Sequence, residues 1–272
     1  GEDSLWIDED FPFILSKKAS DFIYESKENP FFLYFSLHDI HQPRIANIKF
    51  VESSTMGPRG DVIAQMDWCV GQITKALNKH NLLENTLIIF TSDNGPILDD
   101  GYLDYAIGLL GDHKPAGIYR GSKYSVYEAG TRMPTIVHWP KEVKPSTSTA
   151  LLSQVDLYRS LACLVNQDVA KDAAPDSQDF LKSWLGKSKK GREFLLEEAY
   201  TYGLRMGKWK YIKPKDEPVP NWIVQKFVDP GFRKEVQLFN LDKDPSESNN
   251  VYKSYPKIVE QMERKLDEIL NL

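Results

Sequence analysis

Apolar residues recur along this chain with two alternating periods. Between positions 11 and 26 they stand three or four residues apart, which predicts an amphipathic helix, and Asn-Pro at 29–30 ends it. The apolar run at 31–37 then predicts a strand. The same order returns with a helix predicted over 61–80 and a strand over 86–91. Strands that alternate with amphipathic helices indicate an α/β fold with a mostly parallel sheet.

The pattern changes in the last 80 or so residues. Short strands are predicted there at 193–199, 202–212 and 236–241, and a helix is predicted at 255–270. The stretch before them is rich in Asp, Ala, Pro, Gly and Lys, which is typical of loops. We therefore expect an α/β core over 1–166, a linker with loops over 167–191, and a small α+β subdomain with antiparallel strands over 192–272.

Composition and charge exclude some classes of partner. The 272 residues are 41% hydrophobic, enough for a core, and carry 34 basic against 39 acidic residues. This balance predicts no nucleic-acid or anionic-membrane surface, and the chain has no apolar run long enough to span a bilayer. Two cysteines, Cys69 and Cys163, are too few for a disulfide framework, and we expect free, buried thiols.

Two oxygen-bearing side chains stand where a predicted strand stops. The apolar run 86–91 breaks off into Ser-Asp-Asn-Gly-Pro at 92–96. Asp93 and Asn94 offer a carboxylate and an amide oxygen, which suit Ca²⁺ or Mg²⁺ better than a soft metal. Taken alone, the same residues are also good turn formers. A metal site therefore needs support from other motifs.

Two further motifs give that support. The run 31–37 leads into His-Gln-Pro, which begins at His41, and residues 120–134 contain Arg-Gly-Ser-Lys followed by Tyr-Glu-Ala-Gly-Thr-Arg-Met-Pro. In this order, the three motifs resemble those of the formylglycine-dependent sulfatases, arylsulfatase-like members of the alkaline phosphatase superfamily. The resemblance continues through the C-terminal residues. It implies the C-terminal part of an alkaline-phosphatase-like sheet sandwiched by helices.

The resemblance also implies a role for each motif residue. Asp93 and Asn94 would be two ligands of Ca²⁺, or of Mg²⁺. Lys123 would bind a sulfate oxygen and His41 would contact the leaving oxygen as an acid, and we expect these groups to converge on one pocket. His113, on the long loop that leads to Arg120, and Arg120 itself are predicted substrate contacts.

The nucleophile motif of the family has no match in this chain. Formylglycine forms in a Cys/Ser-x-Pro-x-Arg motif, but Cys69 is followed by Val-Gly and Cys163 by Leu-Val. The early pair of metal-binding aspartates also has no counterpart before His41. We therefore expect a C-terminal portion of a sulfatase that is inactive alone, and that either self-associates or packs against the missing N-terminal half.

Two other functions stay open on the sequence. One is a metal-dependent phosphatase or phosphonate hydrolase of the same superfamily, although its two-zinc members carry His where this chain has Asn94. The other is a non-catalytic remnant module. For the intact sulfatase, the resemblance implies a sulfated carbohydrate substrate and a periplasmic or secreted location.

Overall fold

A computed structural model describes residue 5 and residues 7–271 of the chain. Residues 1–4, 6 and 272, at the outer edges of the predicted domains, lie outside the described part. The chain forms two compact units. The first holds the described residues up to Leu87 together with Leu98–His113 and Trp139–Lys141, and the second holds Ile88–Ile97, Lys114–His138 and the residues from Glu142 onward.

Two helices form the centre of the first unit. Helix α1 spans Phe11–Ser26 as predicted, and α2 spans Gly57–Lys79, beginning four residues before the predicted start. A proline in the first turn of α2 explains the earlier start, because proline needs no backbone donor there. Buried apolar side chains, among them Ile23, Val62 and Cys69, form the core. The cysteine prediction holds only in part, because both thiols are free but Cys163 is exposed.

The strand predicted over 31–37 is wrong as a paired strand. Residues 31–37 are not part of either sheet in the described chain, although their side chains alternate between half-buried and exposed. Phe32 and Tyr34 are 73% and 81% exposed. The alternation is that of a strand, but a strand also needs a hydrogen-bonded neighbour, and the local pattern does not reveal whether one is available.

The first sheet belongs to the second unit and has two strands. Strand β1 (Ile88–Thr91) pairs antiparallel with β2 (Thr135–His138), with Ile88 opposite His138, and the short helix α3 (Glu128–Thr131) precedes β2. The mixed α/β class is confirmed. The parallel pairing predicted for this region is not found among the described strands. The segment between β1 and β2 reverses the direction of the chain, so β2 runs antiparallel to β1.

A pair of helices follows β2. Helix α4 (Leu157–Leu164) begins after a 3-10 turn that is capped reciprocally by Ser153 and Asp156. The stretch 167–191, predicted as linker and loops, contains the short helix α5 (Leu181–Trp184). Arg192 donates two hydrogen bonds to the buried carboxylate of Asp156, of 2.8 and 2.6 Å, and so ties the end of this stretch to the start of α4.

The second sheet has the antiparallel strands predicted for the C-terminal residues. Its order is β3 (Leu195–Glu198), β4 (Tyr202–Met206), β5 (Trp209–Ile212) and β6 (Gln237–Asn240). The stretch 202–212, predicted as one strand, is a hairpin that turns at Gly207, whose φ of 55° suits glycine. A short helix, α6 (Asn221–Val224), precedes β6, and α7 (Pro256–Leu270) packs on the sheet through Met262 and Leu266.

Candidate functional site

The turn after β1 presents the predicted metal ligands at the surface. Asp93 is exposed and Asn94 is half-buried. Oδ1 of Asp93 accepts the backbone N–H of Asn94 at 2.9 Å, and Nδ2 of Asn94 donates to the Gly95 carbonyl at 3.0 Å. Both side chains therefore support the turn, while Oδ2 of Asp93 and Oδ1 of Asn94 are not used in these bonds. The observed geometry is therefore compatible with both a turn-forming role and a metal-binding role for these two residues.

The same turn is in contact with the loop that carries Lys123. The backbone N–H of Lys123 donates to the Pro96 carbonyl at 3.0 Å, and that of Gly95 donates to the Gly130 carbonyl at 3.2 Å. A Cβ at position 95 would lie 1.7 Å from the Ala129 carbonyl oxygen, so only glycine permits this approach. The structure therefore brings together two of the three sequence motifs.

The Lys123 side chain lies beside an aromatic ring. Its Nζ is 5.1 Å from the ring centroid of Tyr124, within the range of a cation–π interaction. Tyr124 has a φ of 72°, a left-handed conformation that is rare for an aromatic residue. The lysine predicted to bind sulfate thus stands on a tightly constrained turn.

Arg120, predicted as a substrate contact, has structural partners. Its guanidinium donates to Asp229 Oδ2 at 2.7 Å and to the Glu247 carbonyl at 3.0 Å, and it stacks 3.9 Å from the centre of the Tyr127 ring. Burial would raise the pKa of Asp229, but hydrogen bonds from Arg233 and Arg120 hold that pKa below its usual value. These contacts favour a role in fixing the loop rather than in touching substrate.

His41 and His113 belong to the first compact unit. Nδ1 of His41 lies 2.7 Å from the Gln42 carbonyl, and Nε2 lies 3.7 Å from the carboxylate of Asp100, which is almost fully buried. Sequence reasoning missed Asp100, and no motif singles it out. The Asp100 carboxylate is thus positioned to orient the imidazole of His41. His113 is exposed, and its backbone N–H donates to the Leu110 carbonyl at 3.3 Å.

A buried cluster of charges holds the Lys123 loop against the second sheet. Lys210 on β5 is fully buried, and its Nζ lies 3.1 Å from Glu128, 2.8 Å from Glu197 and 3.6 Å from Glu247. Arg205 and Arg132 also contact Glu128, at 3.1 and 3.0 Å. Sequence reasoning missed this cluster. The available signal was Lys210 itself, which stands between Trp209 and Tyr211 in an otherwise apolar strand.

The cluster shifts the pKa values of its members in opposite directions. Burial alone would raise the pKa of Glu128, but the charges of Lys210 and Arg205 lower it below its usual value. Burial raises the pKa of Glu247 to about 7, against the opposing attraction of Lys210. Burial would lower the pKa of Lys210, but the carboxylates of Glu197, Glu247 and Glu128 raise it. Lys210 therefore stays charged, and Glu247 holds a proton in mildly acidic solution.

The donor set of the 92–96 turn fits part of a calcium site. Carboxylate and amide oxygens are hard ligands, but Ca²⁺ takes six to eight of them. In the described part of the chain, no group of three or more His, Cys, Asp or Glu side chains is arranged to hold a metal. Asp93 and Asn94 can thus supply two ligands, and the others would have to come from elsewhere.

The fold, the two adjoining motifs and their glycine-dependent contact define the class of this protein. The chain belongs to the sulfatase family, whose model matches residues 8–166. Residues 120–271 match a second model, described as the C-terminal region of N-sulphoglucosamine sulphohydrolase.

The chain is similar to particular sulfatases. It is 46% identical to an N-acetylgalactosamine-6-O-sulfatase of Bacteroides thetaiotaomicron over 99% of its own length and 53% of that protein. Human arylsulfatase A is 32% identical and is matched over 68% of this chain and 36% of its own length. The chain thus spans about half of the first relative and a smaller part of the second.

Solved structures agree with this placement. A Bacteroides thetaiotaomicron structure, described under the metabolism of multiple glycosaminoglycans, matches 99% of this chain and 56% of its own with a TM-score of 0.95 and 46% identity. The PsFucS1 sulfatase from Pseudoalteromonas shares the fold, with a TM-score of 0.79 at 23% identity over 97% of this chain and 53% of its own. Within the described residues, every helix is too short or too polar to cross a bilayer.

Proposed function

We propose that this chain is the sulfate-binding C-terminal portion of a sulfuric ester hydrolase that acts on a sulfated carbohydrate. The observation that carries the proposal is the contact between the 92–96 turn and the Lys123 loop. It places hard oxygen donors and a lysine on adjoining segments, which is the combination that a sulfate group bound to a hard cation requires.

Each predicted residue has a distinct role in the proposal. Lys123 binds one sulfate oxygen and offsets the negative charge that develops during S–O cleavage. His41, oriented by Asp100, donates its proton to the leaving alcohol oxygen. Asp93 and Asn94 contribute two ligands to a Ca²⁺ or Mg²⁺ site. His113, exposed on its loop, is kept as a substrate contact, whereas the partners of Arg120 fit a structural role.

Formylglycine would supply the nucleophile that attacks sulfur in such an enzyme. The chain has no Cys/Ser-x-Pro-x-Arg motif to carry it. We therefore propose that the 272 residues hydrolyse nothing alone and act with a companion segment that carries this motif. The extended segment 31–37, with Phe32 and Tyr34 largely exposed, offers a surface where the companion segment or a second copy could bind.

The substrate class is proposed from the relatives. The first relative is named for N-acetylgalactosamine 6-sulfate, so we propose a 6-O-sulfated amino sugar. A periplasmic or secreted location suits an enzyme whose substrate is a sulfated carbohydrate. We also propose the domain boundaries 1–166, 167–191 and 192–272, with the ion pair of Arg192 and Asp156 linking the third segment to the first.

A phosphoryl hydrolase is the competing function. Asn94 supplies an amide oxygen where a two-zinc site would use a histidine nitrogen, and this favours one hard cation and a sulfatase. The family assignment agrees with that choice.

The test is a chimera that joins the N-terminal half of the 46% identical relative to this chain. We expect it to release sulfate from 6-O-sulfated N-acetylgalactosamine and to leave the corresponding phosphate ester intact. Lys123→Ala and His41→Ala should each lower kcat/KM by at least about 100-fold. A folded chimera that cleaves only the phosphate ester would establish the phosphatase reading, and one that cleaves neither would remove the proposal.

Matched controls separate chemistry from folding. Lys187→Ala removes a lysine whose partner is the surface carboxylate of Glu142, and we expect it to leave turnover unchanged. His80→Ala is the corresponding histidine control, at the end of α2. The unfused chain should show no turnover of an aryl sulfate, and measurable turnover would contradict the companion-segment proposal.

A further inference from the structure

Three aromatic rings lie together next to Lys123. Tyr124 and Trp222 are in edge-to-face contact with centroids 5.1 Å apart, Tyr200 and Trp222 are 5.6 Å apart, and Tyr124 and Tyr200 are 6.4 Å apart. We call these three residues the aromatic trio. They come from three distant parts of the sequence, since Tyr124 follows Lys123, Tyr200 precedes β4 and Trp222 lies in α6.

The trio remains open to solvent despite these contacts. Tyr200 is 45% exposed and Trp222 is 40% exposed, whereas Tyr127, four residues beyond Lys123, is completely buried in the core. Large rings that serve only to fill a core lose nearly all of their surface, as Tyr127 does. The aromatic trio therefore presents apolar ring surface to solvent.

Two residues of the aromatic trio have strained backbone conformations. Tyr124 and Tyr200 have φ values of 72° and 63°, a conformation that costs a residue other than glycine on the order of 1–3 kcal/mol. Such strain persists where the surroundings fix it, and it is frequent at ligand clamps. The surroundings of Tyr124 and Tyr200 must therefore fix these two rings in place.

Positive charge flanks the rings. Lys123 Nζ is 5.1 Å from the Tyr124 ring, and Lys215 Nζ donates to the Tyr200 carbonyl at 2.7 Å. Apolar surface bordered by ammonium groups suits a ligand that has a C–H face and an anionic substituent. A pyranose ring with a sulfate ester has both, because its axial C–H groups stack on aromatic rings while the sulfate meets lysine.

We infer that the aromatic trio is a carbohydrate-ring platform, which receives the sugar of a sulfated glycan while Lys123 binds its sulfate. This inference rests on the proposed function and adds a binding surface to it. Tyr124 links the two parts, since it contacts both the lysine and the other rings. The trio recognises the ring, and Lys123 recognises the substituent.

The test uses the complete 272-residue chain labelled with ¹⁵N at tryptophan. Trp222 is one of six tryptophans, and its indole N–H resonance is assigned by its loss in Trp222→Phe. Titration with 6-O-sulfated N-acetylgalactosamine should shift this resonance, and unsulfated N-acetylgalactosamine should shift it more weakly. Tyr200→Ala should weaken binding of both sugars about tenfold, whereas Lys123→Ala should remove only the advantage of the sulfated sugar.

The control is Tyr255→Ala. Tyr255 is 41% exposed and pairs with Trp209, so it matches Tyr200 in exposure and ring contact, and we expect its loss to leave binding unchanged. One outcome is that the sulfated sugar binds in a way that requires Lys123, persists in Tyr200→Ala and does not shift the Trp222 resonance. That result would overturn the platform and leave the proposed function standing. Failure of both sugars to bind would also overturn the platform, and turnover by the chimera then decides the proposed function separately.

Discussion

The ammonium of Lys210 lies 3.1 Å from a carboxylate oxygen of Glu128, and both side chains are shielded from water. Lys210 is on β5 of the C-terminal sheet, whereas Glu128 begins α3 in the loop that carries Lys123. The pair therefore connects the sheet to the loop that carries Lys123. In a low-dielectric interior this connection is strong only while both charges are present.

Replacement of Lys210 by methionine should strongly destabilise the chain. Lys210→Met keeps the length of the side chain but leaves three buried carboxylates without their shared cation. We expect the free energy of unfolding to fall by about 3–5 kcal/mol, measured by urea denaturation. Lys187→Met removes an exposed ion pair with Glu142 and should cost less than about 1 kcal/mol. Equal losses in the two variants would contradict the proposed role of the cluster.

Stability should fall as the pH rises from about 4.5 to about 7. The folded state raises the pKa of Glu247 from 4.5 to about 7, so within this window the folded protein holds a proton that the unfolded chain has released. The folded state is then favoured at the acidic end, and the contribution is lost as the pH passes the folded pKa. Lys210, Glu128 and Glu197 face this carboxyl, and two of these three are negative.

The measurement compares wild type with Glu247→Gln across this window. Glutamine keeps an oxygen that can accept the Glu128 backbone N–H, now bonded to Glu247 at 2.6 Å, but it does not titrate. We expect wild type to lose on the order of 2–3 kcal/mol relative to the variant between pH 4.5 and pH 7, since one pKa unit corresponds to about 1.4 kcal/mol. Parallel curves would show that Glu247 titrates normally.

The local pattern of the sequence predicted the helices well and the sheets less well. Both ends of helix α1 match the predicted range 11–26, because its apolar stripe and the Asn-Pro that ends it are local features of the sequence. The run at 31–37 has the alternation of a strand, but pairing depends on a neighbour far away in sequence, which local pattern does not specify. The direction of pairing of β1 depends on the path of 43 intervening residues, from Ser92 to Pro134, for the same reason.

The candidate site was predicted from motifs rather than from periodicity. The motifs identified Asp93 and Lys123, and the structure shows that their segments adjoin through Pro96. Asp100 and Lys210 were missed because a lone Asp in a loop and a lone Lys in a strand are normally solvated. Only the fold shows that Asp100 is buried beside His41 and that Lys210 is buried beside Glu128.

Calcium should bind weakly to this chain and only through the 92–96 turn. Two oxygen ligands leave most of the coordination shell to water, so we expect a Kd above about 10⁻³ M by calorimetric titration. Asp93→Ala should abolish the residual binding. Asp99→Ala removes another turn aspartate, whose Oδ1 accepts the Gly101 N–H, and it should change nothing. Micromolar affinity that survives Asp93→Ala would place the metal elsewhere.

Replacement of Gly95 by alanine should separate the 92–96 turn from the loop that carries Lys123. The added Cβ would lie 1.7 Å from the Ala129 carbonyl oxygen, and because both groups are attached to backbone the two segments must move apart. We expect a loss of more than about 2 kcal/mol of unfolding free energy, together with faster amide hydrogen exchange at Lys123, whose N–H bonds to Pro96.

Gly71→Ala is the matched control, because Gly71 lies inside α2 with nothing within 4 Å of the added Cβ. Alanine there should stabilise the helix by about 0.5–1 kcal/mol. Since the two substitutions add the same methyl group, opposite signs would show that the 95–129 contact is a steric requirement of the site, and equal small effects would show that the turn and the loop are not held together in this way.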